Sequence, residues 1–298
     1  MQKEKYTYYN MYIYLFDRSD RLGANITNYI AQILYAYNNK YIIKFKSEQK
    51  DYKYYNSLFV KTLFIYIEKY NEELTNVINI NNQHDEEYVF KDMHDYITIM
   101  SNILKNVKSD FITFFNDNIY NNIKSDFLNS TSLINIPFDI NKTILVHLRL
   151  GDVAHRTDYD GSICSNYYKN KIKNNENCFL EFYDTINNQA PLAKTKLDNI
   201  INKAKNEFTD YKVILITSPG SDTSFFDYEV IKSDDENLDL YLLTVCNVTI
   251  LSRSTFALSS MFFNDTKIKT YIPLWGHFFC CGLDTIYDKN IAKIEYFV

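Results

Sequence analysis

The hydrophobic and polar positions of the first 45 residues predict a strand, a helix and a second strand. Met11–Phe16 is an apolar run of strand length, and a polar turn ending at Gly23 follows it. Further along, apolar residues recur at intervals of three and four, which is typical of one face of a helix. These helical positions are Ile26, Tyr29, Ile30, Ile33, Leu34 and Tyr37. The β-rich run Tyr41–Phe45 completes a strand–helix–strand unit, which predicts a parallel sheet.

The second half of the chain repeats this alternation. Strands are predicted at Ile144–Arg149, Val213–Thr217 and Val248–Leu251. Helices are predicted at Leu238–Cys246, at Thr255–Phe263, and over the stretch whose apolar face consists of Leu197, Ile200, Ile201, Ala204 and Phe208. The pattern indicates a second doubly wound α/β unit.

The residues between these halves predict a domain boundary. Residues 51–128 have apolar positions at mixed helical spacing, with a polar loop expected at Asn81–Glu87. Turn formers cluster at Asn129–Pro137, directly before a strong strand. We therefore expect an N-terminal domain over residues 1–138 and a C-terminal domain over residues 139–298.

Composition excludes several classes of protein. Of the 298 residues 46% are hydrophobic and 23% charged, with 6 Gly and 4 Pro, which is typical of a globular chain. The net charge of −5 gives no basic surface, so no nucleic-acid partner is expected. No apolar run approaches the roughly 20 residues of a membrane span, and Met11–Phe16 is too short for a secretory leader. These features, with five cysteines, predict a soluble cytoplasmic protein with reduced thiols.

Four polar segments follow predicted strands, where ligands bind in parallel α/β sheets. They are Gly23 with Asn25, His147–Asp152, Ser218–Asp222 and Ser252–Phe256. The first predicts either an ordinary turn or an anion site at the start of a helix. The last predicts either a helix cap or a phosphate site built from hydroxyls and backbone N–H groups.

The segment His147–Asp152 carries the strongest chemical signal. His147 and Arg149 alternate along an apolar strand, so both point to one face, and two side chains able to carry positive charge there favour an anionic ligand. The planar guanidinium of Arg149 suits phosphate, because it binds two oxygens at once. The alternative is a structural Arg–Asp pair with His147 hydrogen-bonded in the core.

Together these segments resemble the α1,2-fucosyltransferases. The resemblance lies in His147-x-Arg149-x-Gly-Asp152 and in the order of the segments around it. Those segments are Leu22–Asn25 with Tyr29 and Gln32, then Tyr167–Tyr168, Asp239–Cys246, Ile250–Phe256 and Pro273–Trp275. The His-x-Arg element also resembles the wider group of α1,6- and protein O-fucosyltransferases.

The resemblance implies a GT-B fold, in which two Rossmann-like domains face each other across a cleft. It implies inverting transfer of L-fucose from GDP-fucose to a glycan hydroxyl, without metal or other cofactor. Arg149 would stabilise the leaving diphosphate, while His147 contacts the nucleotide or positions Arg149 and Asp152 orients Arg149. The expected donor-binding residues are Gly23, Asn25, Asp222, Asp239, Ser252, Ser254, Thr255 and Phe256.

The roles of several acidic residues stay open. Asp239 is a candidate acceptor for guanine N–H groups or a solvated acid at a helix start, and Asp222 binds the donor or only forms a turn. The general base is unassigned among His155, Asp158 and Asp160. Asp158-Tyr-Asp160 is also a possible metal pair of the GT-A type.

Two further clusters and the class of protein each allow a second interpretation. His84–Glu87 with His94–Asp95 favours a solvated loop over a metal cluster, and Cys280–Cys281 favours plain thiols over redox chemistry. A transferase for another nucleotide sugar and a binding protein without catalysis are the competing functions.

Overall fold

The computed structural model describes residues 10–15, 22–44, 57–77, 85–88, 125, 129, 135–150, 191–263, 267–273 and 294–297. The chain forms two compact units, Met1–Ser130 and Thr131–Val298. Several predicted features lie outside the described residues: Asp152, His155, Asp158, Asp160, Tyr167–Tyr168, His84, His94–Asp95, Trp275 and Cys280–Cys281.

The N-terminal unit contains a parallel three-stranded sheet with the order β2-β1-β3. Its elements are β1 (Asn10–Tyr14), α1 (Leu22–Asn39), β2 (Ile42–Lys44), α2 (Leu58–Val77) and β3 (Asp85–Tyr88). The predicted strand–helix–strand opening is therefore confirmed.

Two predictions for this unit were wrong. The helix begins at Leu22 rather than near Ile26, because Leu22 is buried and extends the apolar stripe by one turn. Within the loop expected at Asn81–Glu87, the described residues from Asp85 onward belong to strand β3 (Asp85–Tyr88), which pairs with β1 despite its charge.

Helix α2 is fixed to β2 and to the end of α1 by side chains. The Asn71 amide donates to the Ile43 carbonyl oxygen (2.7 Å) and its Oδ1 accepts from the Ile43 N–H (2.9 Å). The Tyr70 hydroxyl lies 3.1 Å from the carbonyl oxygens of Ala36 and Tyr41. These bonds satisfy backbone groups of an edge strand and of a helix end.

The C-terminal unit contains a parallel six-stranded sheet with helices. A 3₁₀ turn (Ile140–Lys142) leads into β4 (Thr143–His147), α3 (Lys194–Glu207), β5 (Lys212–Thr217) and β6 (Glu229–Lys232). Then come α4 (Glu236–Val245), β7 (Val248–Ile250), α5 (Thr255–Ser259), a 3₁₀ turn (Ser260–Phe263), β8 (Lys269–Pro273) and β9 (Ile294–Phe297).

The strand order of this sheet is β6-β5-β4-β7-β8-β9, and every neighbouring pair is parallel. Counted in chain order within the sheet, this is 3-2-1-4-5-6, the order of a doubly wound Rossmann-like sheet. The predicted second α/β unit is confirmed at this level, although β6, β8 and β9 were not predicted.

The core on one face of this sheet fixes where the β4 side chains point. Ile144, Val146 and Leu148 pack with helix α3 in one apolar cluster. Because successive side chains of a strand point to opposite faces, His147 lies on the other face. The helix contributes the buried residues Leu197, Ile200, Ile201 and Ala204 to that cluster, as its sequence pattern predicts.

Among the helices of the described residues, none is long and apolar enough to cross a membrane.

Candidate functional site

The candidate site lies where the strand order of the six-stranded sheet reverses. Strands β4 and β7 are neighbours, but the chain continues from β4 toward β5 and from β7 toward β8. Ligands of doubly wound sheets bind outside the carboxyl ends of the strands at such a reversal. The segments at this position are residues 148–150 after β4 and residues 251–254 after β7.

A short hydrogen bond joins the ends of these two strands. His147 is the last residue of β4, and its Nδ1 lies 2.6 Å from the Ser252 hydroxyl, 105 positions away in sequence. Both side chains are buried, and the Phe256 ring lies 6.0 Å from the imidazole, centroid to centroid. The His-x-Arg segment and the start of α5 therefore meet, as their shared place at the carboxyl end of the sheet predicts.

His147 is neutral in this environment. Burial, with a smaller contribution from the positive charge of Arg149, lowers the pKa of His147 to about 3. The expectation that both side chains could carry charge is thereby corrected. The strand also ends earlier than predicted, at His147, so Arg149 supplies its positive charge from the segment that follows β4, and His147 supplies hydrogen-bonding groups.

Arg149 reaches across to the same turn. Its Nη1 donates to the Arg253 carbonyl oxygen at 3.3 Å, so the half-buried guanidinium lies beside the start of α5. The Arg253 side chain is buried within that turn. Arg253 was not among the predicted site residues, because a backbone acceptor leaves no mark in the side-chain pattern.

The start of helix α5 has hydroxyls that capping does not use. Ser254 occupies the N-cap position with extended backbone (φ −145°, ψ 124°), and its buried side chain makes no capping hydrogen bond. Thr255, the first helical residue, is half-buried. The alternative in which Ser254 acts as a side-chain cap is therefore not the one observed.

Asp239 lies in the first turn of α4 and is largely buried. Burial, then the nearby carboxylates led by Asp235, raise the pKa of Asp239 to about 7, opposed by a hydrogen bond from Ser233. Its Oδ1 is buried and has no hydrogen-bond partner among the residues that the structure describes. This is not the solvated helix-start acid considered as an alternative, because a solvated carboxylate keeps its ordinary pKa.

Asp222 has the features of a turn residue. It is exposed in the connection between β5 and β6, and its Oδ1 accepts from the Ser224 N–H (3.0 Å) and the Ser224 hydroxyl (2.7 Å). These bonds lower the pKa of Asp222. No hydrogen bond among the described residues joins it to His147 or Arg149.

Gly23 and Asn25 belong to the N-terminal unit. Both lie in the first turn of α1, and Asn25 is completely buried, one helical turn before the buried Tyr29. They are part of a packed helix start rather than of the open turn that the sequence predicted.

Metal ligation has no candidate in the described part of the chain, where no group of three or more His, Cys, Asp or Glu side chains is close enough to hold an ion. The side chains that the structure describes at this reversal of the strand order, the switch point of the sheet, supply the guanidinium groups of Arg149 and Arg253, a neutral imidazole, and serine and threonine hydroxyls. The start of α5 adds backbone N–H groups. This donor-rich set suits an oxyanion ligand.

Comparison with protein-family models, with curated proteins and with solved structures gives no match to this chain, so its candidate site is defined by its own residues.

Proposed function

We propose that the chain is a glycosyltransferase that moves L-fucose from GDP-fucose to a glycan hydroxyl with inversion and without metal. An α1,2 linkage is favoured by the resemblance of Asp239–Cys246 and Ile250–Phe256 to the α1,2-fucosyltransferases. The finer architecture that we propose is GT-B, with the C-terminal unit binding the donor and the N-terminal unit on the acceptor side.

One observation carries the proposal: the Arg149 guanidinium and the hydroxyl-bearing start of α5 converge at the switch point of the doubly wound sheet. Departure of GDP leaves negative charge on the β-phosphate as the sugar becomes oxocarbenium-like. A guanidinium held in advance stabilises that charge more in the transition state than in the ground state, which accelerates the reaction. Ser254 and Thr255 would donate to the same diphosphate.

Asp239 supports the choice of guanine as the base. Guanine presents N–H donors on its Watson–Crick edge, and a carboxylate accepts them. A buried carboxyl oxygen without a partner among the described residues has acceptor capacity to spare. Binding of a donor edge would favour the ionised form of Asp239 and draw its pKa down from about 7.

The test compares GDP binding with GDP-fucose turnover for the full chain and two variants. Arg149→Lys keeps the positive charge but loses the planar guanidinium that binds two oxygens at once. It should lower kcat on the order of a hundredfold to a thousandfold, with GDP affinity less affected. Lys212→Met is the matched control, because it removes one exposed cation at the amino end of β5, where Lys212 pairs with Glu229. Its kcat should equal that of the wild type.

Four results would contradict parts of the proposal. Unchanged kcat in Arg149→Lys would remove Arg149 from its role. Loss of activity in EDTA, restored by manganese, would favour the metal-dependent alternative at Asp158 and Asp160. Stabilisation by UDP-sugars or GDP-mannose instead of GDP-fucose in a thermal-shift assay would identify a different donor. GDP binding without turnover on any glycan would indicate a binding protein without catalysis.

A further inference from the structure

Ser252 occupies a position from which it can decide which nitrogen of His147 carries the proton. A neutral imidazole has one N–H donor and one acceptor nitrogen, and the hydrogen bond made by one nitrogen fixes the role of the other. The Ser252 hydroxyl lies 2.6 Å from Nδ1, and both residues are more than nine-tenths buried.

The hydrogen-bond partners that are available decide whether the Ser252 hydroxyl or the His147 Nδ1–H is the donor in this hydrogen bond. Among the described residues, the Ser252 hydroxyl contacts no acceptor other than His147 Nδ1. If Nδ1–H donated to Ser252, two groups would lack a partner among the described residues, the buried hydroxyl proton and the Nε2 lone pair. If the hydroxyl donates to Nδ1, only the Nε2–H lacks one, so this direction costs less. The hydroxyl therefore donates to Nδ1, and the imidazole proton resides on Nε2.

We infer that Ser252 is a positioning residue that holds His147 as the neutral Nε2–H tautomer, so that the ring presents a hydrogen-bond donor to an oxygen of the bound ligand. Nε2 has no hydrogen-bond partner among the described residues, although His147 is only 8% exposed. The identity of the ligand rests on the proposed function, which assigns this oxygen to the nucleotide sugar.

His147 in this tautomer cannot act as the general base. A ring with its proton on Nε2 and with Nδ1 occupied by Ser252 has no lone pair to offer to an acceptor hydroxyl. Burial and the neighbouring Arg149 charge both oppose taking up a second proton. His147 is thus a donor, and the general base of the proposed reaction lies elsewhere.

The tautomer can be read directly by ¹⁵N NMR on the full chain labelled at histidine. The chain has 5 His, and the signal lost in His147→Gln assigns the ring. We expect a pyrrole-type shift for Nε2 and a pyridine-type shift for Nδ1 in the wild type. Ser252→Thr, which keeps the hydroxyl, should give the same pattern, while Ser252→Ala should give shifts averaged between the two types.

A wild-type spectrum with the proton on Nδ1, or with averaged shifts, would overturn the inference. So would an unchanged tautomer in Ser252→Ala. If Ser252→Ala fails to fold, the wild-type and Ser252→Thr spectra still decide between the two tautomers, because they need no loss-of-function variant.

GDP serves as the probe for the ligand. It should shift the Nε2 resonance in the wild type, and Ser252→Ala should bind it about tenfold more weakly, with Ser252→Thr within about twofold of the wild type. If GDP fails to bind while the Nε2–H tautomer is seen, the tautomer stands and the proposed function falls. If GDP binds tightly while the proton lies on Nδ1, the proposed function stands and the tautomer assignment falls.

Discussion

Replacing Asp239 by asparagine should stabilise the fold, although we propose that Asp239 binds the nucleotide. In the folded chain the carboxyl is largely buried beside Asp235, with Glu236 and Asp234 adding repulsion, and its pKa is raised to about 7. Asparagine keeps the shape of the side chain and can accept the hydrogen bond from Ser233. It removes the ionisable group that burial penalises.

The magnitude follows from the pKa. A rise from 3.8 to about 7 is roughly three units, which at about 1.4 kcal/mol per unit caps the cost of ionised Asp239 near 4 kcal/mol. Because the group is not fully buried, solvent screening reduces this to about 2 kcal/mol. The folded state keeps its proton between about pH 4 and pH 7 while the unfolded state has lost it, so this group makes wild-type stability fall as pH rises through that window.

Urea unfolding of the wild type and Asp239→Asn, near pH 8 and near pH 4, measures the stability difference and its dependence on pH. The variant should be more stable by about 2 kcal/mol near pH 8, with the difference shrinking toward zero near pH 4. Asp222→Asn is the matched control, and near pH 8 it should lower the stability of the fold instead of raising it. Hydrogen bonds from Ser224 lower the pKa of Asp222 and stabilise its charged form. A pH-independent difference for Asp239→Asn, or a loss of stability near pH 8, would refute the reasoning. Weaker GDP binding in the stabilised variant is the expected cost to function.

Two further predictions concern single lysines. The buried Lys267 Nζ lies 2.5 Å from the Leu243 carbonyl oxygen and 2.8 Å from that of Cys246, at the end of α4, and burial lowers its pKa to about 7. Between about pH 7 and pH 10 only the unfolded state keeps this proton, so wild-type stability should rise with pH relative to Lys267→Met in urea unfolding, and a constant difference would contradict this. Lys40 has left-handed backbone (φ 56°), so Lys40→Gly should raise the unfolding free energy by about 1 kcal/mol, whereas Lys40→Ala should not.

The elements that sequence analysis identified are those whose burial follows from their own pattern. Helix α3 has a one-sided apolar stripe ending at Ala204, and β4 has three successive apolar residues at its centre, so each pattern indicates a buried element. Strands β3 and β6 have no such pattern, because Asp85–Tyr88 and Glu229–Lys232 carry charges that are typical of loops. Pairing with β1 and β5, which no local pattern encodes, makes them strands.

The candidate site was predictable in location and not in charge. Parallel topology places His147 and Ser252 at one edge of a sheet, and the sequence suffices to expect this. The neutral state of His147 and the raised pKa of Asp239 depend on burial and on neighbouring charges, which are known only once the chain has folded. The role of the Arg253 carbonyl is likewise a matter of backbone path.

The bonds between Asn71 and Ile43 have a consequence for self-association. Among the strands that the structure describes, β2 lies at an edge of its sheet, and the open N–H and C=O groups of an edge strand favour pairing with another chain. At Ile43 both groups are already occupied by a side chain that mimics a peptide unit, so an incoming strand would find no ladder to extend at the middle of β2. The side-chain amide of Asn71 on α2 thus disfavours edge-to-edge aggregation at β2.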